Sequence, residues 1–197
     1  MAKLSAAGSL VGALLCLVAC RQGAGGQAPP HITTVSLNGM PVGLVLPAGW
    51  KLLPAQSDED AGMVAFSPDR PVLGVPEQQA SAFLDGTREG AVVPASLASA
   101  TEQVLAHDWC KSPAVCTVRD REALPGGGYL VSIKTPQSVF VESWLPAPNG
   151  RGVRCGGEVS ALAALHIHPK TWLDDPTEVD RAGVTIEAIC RSVTMTP

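Results

Sequence analysis

The chain has 197 residues, a formal net charge of −4 at pH 7 and a hydrophobic fraction of 46%. Charged residues make up 16% of it and form no basic stripe, so the composition is that of a globular protein and disfavours a nucleic-acid partner. Glycine-rich phosphate loops, serine-nucleophile motifs and metalloprotease motifs do not occur in the sequence. We therefore expect no cofactor and no enzymatic activity.

The N-terminus combines a positive residue, Lys3, with an apolar run from Leu4 to Val18. A run of about 15 residues has the length of a signal peptide and is short for a membrane span. Residues 17–20, Leu-Val-Ala-Cys, resemble a bacterial lipobox at the end of that run. The resemblance implies a diacylglycerol on the Cys20 thiol, cleavage before this residue and N-acylation of the new terminus. An ordinary signal peptide is the alternative.

The lipobox divides the chain into three parts: residues 1–19 are a lipoprotein signal peptide, 20–30 are the lipidated Cys with a flexible tether, and 31–197 form one domain. The tether is rich in Gly, Pro and Gln and has no apolar periodicity. By resemblance to enteric sorting rules, Arg21 favours the inner leaflet of the outer membrane over the inner membrane. We therefore expect a lipid-anchored protein of the periplasm.

The dipeptide Asn38-Gly39 predicts the first hairpin, because a two-residue type I′ turn needs positive φ at both positions. The turn pairs residues 33–37 with residues 40–46. In that register the apolar side chains share one face: Val35, Leu37, Met40, Val42, Leu44 and Leu46. Pro41 lacks a backbone donor and indicates an edge or a bulge near the turn.

Further elements follow in the next 60 residues. Residues 47–50, Pro-Ala-Gly-Trp, end the second strand, and residues 62–67 predict a third one. Residues 68–94 are rich in Pro and Gly, and the sequence predicts no secondary structure for the segment as a whole. Within it, residues 78–84 fit a short helix. Residues 95–108 are rich in Ala and place Leu and Val on one helical face, which predicts a helix.

Two more hairpins are expected. Strands at 116–123 and 129–135 flank a Leu-Pro-Gly-Gly-Gly connection, and strands at 138–145 and 152–159 flank a Pro-Asn-Gly tip. Such turn-rich connections join antiparallel neighbours. The Gly pair at 156–157 allows a β-bulge.

The C-terminal helix has the clearest signals. Residues 175–178, Asp-Pro-Thr-Glu, combine an N-cap Asp with Pro at the first helical position and Glu at N3. Apolar residues then recur at spacings of three and four up to Val193, and Cys190 lies on that stripe. Strands joined by tight turns, with helices packed on them, indicate an α+β fold with a mostly antiparallel sheet of hairpins.

Four cysteines remain besides the lipidated one and the one in the signal peptide. In an oxidising compartment an even number indicates disulfides, here two with three possible connectivities. Proximity favours Cys110–Cys116, which leaves Cys155–Cys190 to staple the C-terminal helix to the sheet. A zinc site is the alternative, but the spacing lacks a C-x-x-C pair.

The order of elements, the segment 46–50 (Leu-Pro-Ala-Gly-Trp), Phe66 and the closing amphipathic helix resemble the PsbP-like superfamily, which includes DcrB-type bacterial lipoproteins. The resemblance covers residues 32–195 and implies a PsbP-like sandwich. In size, lipobox and disulfide content the chain also resembles the small immunity lipoproteins of type VI secretion loci.

Candidate binding residues come from aromatic and acidic positions. Phe140 and Trp144 alternate with Val and Leu and therefore share one face of their strand. If the helices cover the Val/Leu face, both aromatic side chains are partly exposed and form a binding patch. The acidic run Asp58, Glu59 and Asp60 is expected to form its polar rim. A solvated turn or a calcium loop is the alternative for the acidic run.

His166 and His168 are the weak candidates for a metal site. On a strand, positions i and i+2 share a face, so both imidazoles reach one metal there. A third ligand at a recognisable spacing is missing, and the polar face of a short strand is the alternative.

These features lead to three functional hypotheses. The leading one is a membrane-anchored periplasmic lipoprotein that binds a protein partner, as an immunity protein that neutralises a toxic secretion effector. The second is an envelope-assembly or small-ligand-binding accessory lipoprotein. The third is a metal-binding protein or an enzyme that uses His166 and His168.

Overall fold

The structure is a computed structural model that describes residues 30–53, 57–59, 62–68, 80–86, 92–107, 110, 115–135, 138–147, 152–160 and 176–195. These residues contain ten strands and two helices. In chain order the elements are β1 (His31–Leu37), β2 (Met40–Leu46), β3 (Trp50–Leu52), β4 (Met63–Pro68), β5 (Ala80–Asp85), α1 (Leu97–Leu105), β6 (Thr117–Leu124), β7 (Gly128–Lys134), β8 (Ser138–Pro146), β9 (Gly152–Ser160), α2 (Pro176–Arg191) and β10 (Thr194–Met195).

The described strands pair into two sheets, and every pairing between them is antiparallel. The small sheet has the order β1-β2-β10, and the large sheet has the order β3-β4-β5-β9-β8-β7-β6. The two helices pack against these sheets, so the predicted α+β fold is confirmed. Neither helix in this part of the chain is long and apolar enough to cross a membrane.

The core is divided between the two faces of the large sheet. On one face, α2 and the inner side of the small sheet enclose the main core, which includes Val141, Cys155 and Ile186. On the other face, α1 covers a second cluster that includes Val131 and Trp144. The two clusters use alternate residues of the same strands, because successive side chains of a strand point to opposite faces.

The first hairpin has the predicted turn and register. Asn38 and Gly39 adopt φ values of 50° and 79°, and Leu37 pairs with Met40 across the turn. The predicted apolar face packs into the main core, with Met40 partly buried and the other members buried: Val35, Leu37, Val42, Leu44 and Leu46. Turn chemistry and hydrophobic register therefore agree with the structure.

The interpretation of Pro41 as an edge or bulge position is wrong. β2 is the central strand of the small sheet, and its register with β1 is regular. The residues of β2 that pair with β10 are Val42 and Gly43. Pro41 is compatible with a central strand because it lies just outside this short second pairing, where no donor is required.

The helix expected at 78–84 is also wrong, since this segment contains β5. Strand β5 lies inside the large sheet and pairs with both β4 and β9, and Leu84 is fully buried in the main core. Pairing on both sides overrides a local composition that suits a helix. The segment 47–50 does turn as predicted, with Gly49 at φ 77°, but Trp50 then begins the strand β3.

The two central hairpins are confirmed, but the predicted bulge at 156–157 is wrong. The register of β9 is continuous with both of its neighbours. The described sheet has its register shift in β6 instead, between Val118 and Asp120. Arg119 is therefore the extra residue of a bulge on an edge strand, where bulges are common.

Both predicted helices are confirmed, and their ends lie within three residues of the predicted ones. Helix α1 begins after Ser96, whose side chain accepts a hydrogen bond from the backbone of Ser99 in a reciprocal capping box. Helix α2 begins at Pro176 as predicted, and the N-cap candidate Asp175 lies outside the described residues. The predicted inward stripe of α2 is buried: Val179, Ala182, Gly183, Ile186, Ile189, Cys190 and Val193.

Both predicted disulfides are present. Cys110–Cys116 closes a short loop beside the second cluster, and Cys155–Cys190 joins β9 to α2 with both residues fully buried. The second bond links the centre of the large sheet to the last turn of the C-terminal helix.

Ion pairs fix α2 to the other end of the large sheet. Lys134 of β7 donates to both carboxylate oxygens of Asp180, at 2.7 Å each. The β6 bulge lets two consecutive residues, Arg119 and Asp120, both reach α2, where Arg119 lies 3.5 Å from Glu187. Each of these contacts joins β6 or β7 to α2.

Arg191 completes this network at the end of α2. Its guanidinium hydrogen-bonds Asp120 and Glu122 of β6. Burial lowers the pKa of Arg191, but the hydrogen bond to Glu122 and the charges of Glu122, Glu187 and Asp120 outweigh it and raise the pKa above its ordinary value.

Gly183 lies where α2 approaches the sheet most closely, and we expect Gly183→Ala to destabilise the protein. A Cβ there would lie 2.5 Å from Nη1 of Arg119 and 2.7 Å from Cγ1 of Val139. An exposed helical Gly→Ala change usually gains about 1 kcal/mol, so the sign should be reversed here. Urea unfolding tests this, with the exposed Val184→Ala on the same helix as control; a more stable Gly183→Ala protein would contradict the close approach.

We expect the two disulfides to contribute unequally. On the chain-entropy model, the 35-residue separation of Cys155 and Cys190 is worth about 4 kcal/mol, and the 6-residue separation of Cys110 and Cys116 about 2 kcal/mol. Paired Cys→Ala replacements, each compared with the wild type by equilibrium unfolding, measure the difference. A larger loss on removal of the short loop would refute this ranking.

Candidate functional site

The face of the large sheet opposite α2 has an apolar half and a charged half. The apolar half lies under α1 and contains side chains of β7 and β8. The charged half is formed by Glu142 of β8, Arg154 of β9 and Asp85 of β5, together with His107 just after α1. We call these four residues the charged half-face. Met63, which is 45% exposed and pairs with Asp85, lies at its rim.

Strand alternation and register place the charged half-face. The side chains of Leu84, Val141 and Cys155 point into the main core. Adjacent residues of a strand point to opposite faces. Asp85 follows Leu84, Glu142 follows Val141 and Arg154 precedes Cys155, so these three charged side chains lie on the face away from the main core. The register then pairs Asp85 with Arg154 across β5 and β9. Three of the four residues therefore stand on strand positions inside the sheet, which are more rigid than loops.

Arg154 connects the two carboxylates of this cluster. Its Nη2 donates to Oδ2 of Asp85 at 3.0 Å, and its Nη1 lies 3.7 Å from Oε1 of Glu142. On the other side, Nε2 of His107 lies 3.5 Å from the same Oε1. The side chains of Arg154 and His107 are each 34% exposed, whereas that of Glu142 is 10% exposed. The buried carboxylate thus lies between a guanidinium and an imidazole that are both partly exposed.

Glu142 is the unusual member of the cluster. Its Oε2 is buried and has no hydrogen-bond partner. Burial of a polar atom without a partner costs free energy, and such atoms are rare in folded proteins. The arrangement supplies acceptors and charge for binding. The described residues contain no group of three or more His, Cys, Asp or Glu side chains placed to hold a metal ion.

The predicted exposure of Phe140 and Trp144 is wrong. The helix α2 does cover the Val/Leu face, as the prediction assumed, but α1 covers the other face as well. Phe140 is 8% exposed and Trp144 is 1% exposed, so neither forms a surface patch. Their contribution is to the packing beneath α1.

The acidic run has a structural role at the small sheet. Oε2 of Glu59 accepts a hydrogen bond from the backbone N–H of Ser36 at 3.0 Å, and its carbonyl accepts from Asn38 at 2.8 Å. Asp58 forms an isolated bridge with Met63. These contacts place Glu59 along the outer edge of β1, so the structure does not bring the run together with the aromatic pair. Asp60 lies outside the described residues.

Two predictions fall on residues that the structure does not describe. Cys20 with its lipobox, and His166 and His168, lie outside the described ranges. The acylation site and the metal site therefore stay predictions.

Sequence reasoning missed the charged half-face, although one local signal was present. Glu142 is a charged residue in the middle of a strand, with Phe140 and Trp144 two positions away on each side. A charge at the centre of an otherwise apolar face is rarely buried without a partner. Its neighbours Asp85 and Arg154 are 69 residues apart in sequence, so no motif spacing reveals them.

A separate open groove of about 530 Å³ lies between the β6–β7 turn, the end of β8 and β10. Its lining is mainly apolar and includes Pro125, Leu145, Val193 and Met195. Binding pockets combine such surfaces with a few polar groups that orient the ligand, and none of the described residues that line this groove is charged. The charged half-face is therefore the better candidate for specific recognition.

No family model matches the chain, and no curated protein matches its sequence. Solved structures of similar fold include two of the protein Mog1. A point mutant of the protein Mog1 superposes with a TM-score of 0.52 at 11% identity over 84% of this chain and 96% of that one. The Saccharomyces cerevisiae Ran-binding protein Mog1p gives a TM-score of 0.52 at 12% identity with the same coverage. At such low identity the likeness shows the fold alone.

We expect Trp144→Ala to unfold the protein partially or wholly and to lower its stability by about 3–5 kcal/mol, because the indole is buried beneath α1. Replacement of the exposed Val92 by Ser is the control and should change stability by less than about 0.5 kcal/mol. Thermal and urea unfolding measure both variants. A Trp144→Ala protein of wild-type stability would show that the indole is not part of the packing.

Proposed function

We propose that the protein is a lipid-anchored lipoprotein of the periplasm that binds a protein partner, as an immunity protein that blocks a toxic effector delivered there. The observation that carries the binding part is the charged half-face, where charges on rigid strands surround a buried carboxylate oxygen without a hydrogen-bond partner. Preorganised acceptors of this kind favour recognition, because little side-chain entropy is lost on association.

Two further observations support the location and the mode of action. The lipobox at residues 17–20 supports export and anchoring, and the two disulfides suit an oxidising compartment. Mog1p, which has a similar fold, is described as a Ran-binding protein, so a protein of this fold is known to act by protein binding. The immunity role itself is supported by the resemblance to small periplasmic immunity lipoproteins.

The apolar groove favours a second candidate function, a small-ligand-binding accessory lipoprotein of the envelope. Its volume of about 530 Å³ falls within the usual range of small-molecule sites. This function would use the side of the molecule that carries β10 and leave the charged half-face unused.

We expect Cys20 to carry the lipid, so wild-type protein should incorporate a palmitate analogue and sediment with membranes. Cys20→Ser removes the thiol that accepts diacylglycerol and should abolish labelling and leave the precursor uncleaved or released. Metabolic labelling in cells, with Cys110→Ser as a cysteine control that keeps Cys20, makes the comparison. An unlabelled wild-type protein would exclude the anchor.

The immunity function is tested by capture of the partner from native envelopes. Tagged full-length protein should retain one protein in stoichiometric amount. That protein should arrest growth when it is exported alone, and growth should recover when the lipoprotein is co-expressed. Retention of no protein, or of one that is harmless in the periplasm, would contradict the immunity function.

A further inference from the structure

The small sheet has an outward face on which no described position is charged. Strand alternation and register direct the even-numbered residues of β1, the odd-numbered residues of β2 and one residue of β10 away from the main core. These outward residues are Ile32, Thr34, Ser36, Pro41, Gly43, Val45 and Thr194, and all except Gly43 are exposed. By contrast, the edge strand β6 of the large sheet carries four consecutive charged residues, 119–122.

The apolar part of this outward face lies at the end where the chain enters the domain. Ile32, the second residue of β1, is 80% exposed, and its cross-strand partner Val45 is 39% exposed. At the other end of β1, next to the Asn38-Gly39 turn, the backbone N–H of Ser36 donates to the carboxylate of Glu59. The outward face is therefore apolar at the chain entrance and has an acidic neighbour at the turn.

The chain outside the structure indicates what covers the apolar end. Ten residues, 20–29, precede Pro30, the first described residue, and a chain of this length spans at most about 36 Å. In a protein anchored through Cys20, the point at which the chain enters the domain is thus held close to the bilayer. Ile32 lies two residues from that point, so the bilayer is the apolar surface nearest to it in sequence.

The area of the outward face is small for a protein partner or a second copy. Two strands of seven residues, at about 3.4 Å per residue and 4.8 Å between strands, offer an area on the order of 250 Å². A stable interface between proteins needs about 800 Å² on each partner. A weaker contact suffices against a membrane, because the anchor already holds the domain there and makes the contact effectively intramolecular.

We propose that the outward face of the small sheet rests on the phospholipid bilayer, with Ile32 and Val45 in the headgroup region. This inference rests on the lipid anchor of the proposed function and adds the orientation of the domain. Burial of an apolar pair at the interface is favourable, whereas a charged side chain there would lose hydration. The charged half-face lies on the other side of the large sheet, so this orientation turns it away from the bilayer and towards a partner in the periplasm.

The test uses the full-length mature lipoprotein in vesicles of phosphatidylethanolamine and phosphatidylglycerol. Photoreactive benzoylphenylalanine replaces either Thr34 on the outward face or Met63 at the rim of the charged half-face, and mass spectrometry measures the phospholipid adduct. We expect at least five times as much adduct from position 34 as from position 63. Equal yields would overturn the proposal, because the domain would then have no preferred side towards the bilayer.

The role of the apolar end is measured with Ile32→Asp in the protein labelled at position 34, where it should lower the adduct at least threefold. Val92→Asp is the matched control: Val92 is 83% exposed, and its neighbour Val93 packs against the cluster beneath α1, on the other side of the large sheet. The control adds the same charge and should change the yield less than twofold. Equal losses in the two variants would contradict the proposal, since the adduct would then follow net charge alone. If Ile32→Asp does not fold, Ile32→Ser takes its place and should lower the adduct at least twofold.

Flotation of the same vesicles separates this proposal from the proposed function. Protein that does not float with them lacks the anchor and contradicts both. Protein that floats but gives no phospholipid adduct at position 34 keeps the anchor and the immunity function and discards the docked orientation. An adduct between two copies at position 34 would assign the outward face to a dimer and would also overturn the proposal.

Discussion

The rest of the structure depends on the attachment of α2 to the large sheet. Cys155–Cys190 joins its last turn to β9, and the Lys134–Asp180 pair joins its first half to β7. Gly183 lets the helix approach the sheet between these two points. Because α2 is fixed along its length, one face of the sheet becomes the main core, and the chain that follows α2 is directed back as β10 to pair with the first hairpin.

The opposite face of the large sheet carries both apolar and charged side chains. The short helix α1 packs on this face against side chains of β7 and β8, and the same face continues across β9 and β5. Those strands carry Arg154 and Asp85 at the positions that alternate with core residues, so the sheet presents charge there. The candidate site thus combines charged residues of β5, β8 and β9 on the face against which α1 packs.

Two of the four outer strands of the described sheets, β6 and β1, have features that discourage unwanted pairing. Strand β6 is an edge strand with a bulge and four consecutive charged residues, 119–122, and both features discourage another strand from adding to it. At the small sheet, Glu59 occupies hydrogen-bonding positions along part of β1. For a protein proposed to bind a partner, such protection directs recognition to side chains on a face.

Local chemistry predicted much of the fold. The Asn38-Gly39 turn, the start of α2 at Pro176 and both disulfides were readable because each depends on neighbouring residues or on an even cysteine count. Strand β5 (Ala80–Asp85) was not predictable in this way, because its extended conformation comes from pairing with two other strands, β4 and β9.

The exposure of Phe140 and the charged half-face were not predictable for a related reason. Both depend on which helix covers which face of the sheet, and strand alternation alone does not assign the helices. The residues of the site come from three strands and the end of α1, and the register that brings them together is a property of the assembled sheet.

The central claim is that a protein partner docks on the charged half-face. Photo-crosslinking in living cells tests it most directly, with the photoreactive residue placed at Met63 on the rim of that face or at Val184 on the outer side of α2. The two positions are 45% and 48% exposed and lie on opposite sides of the molecule. The account predicts a discrete adduct from position 63 and none from position 184. An adduct from position 184 alone would contradict it.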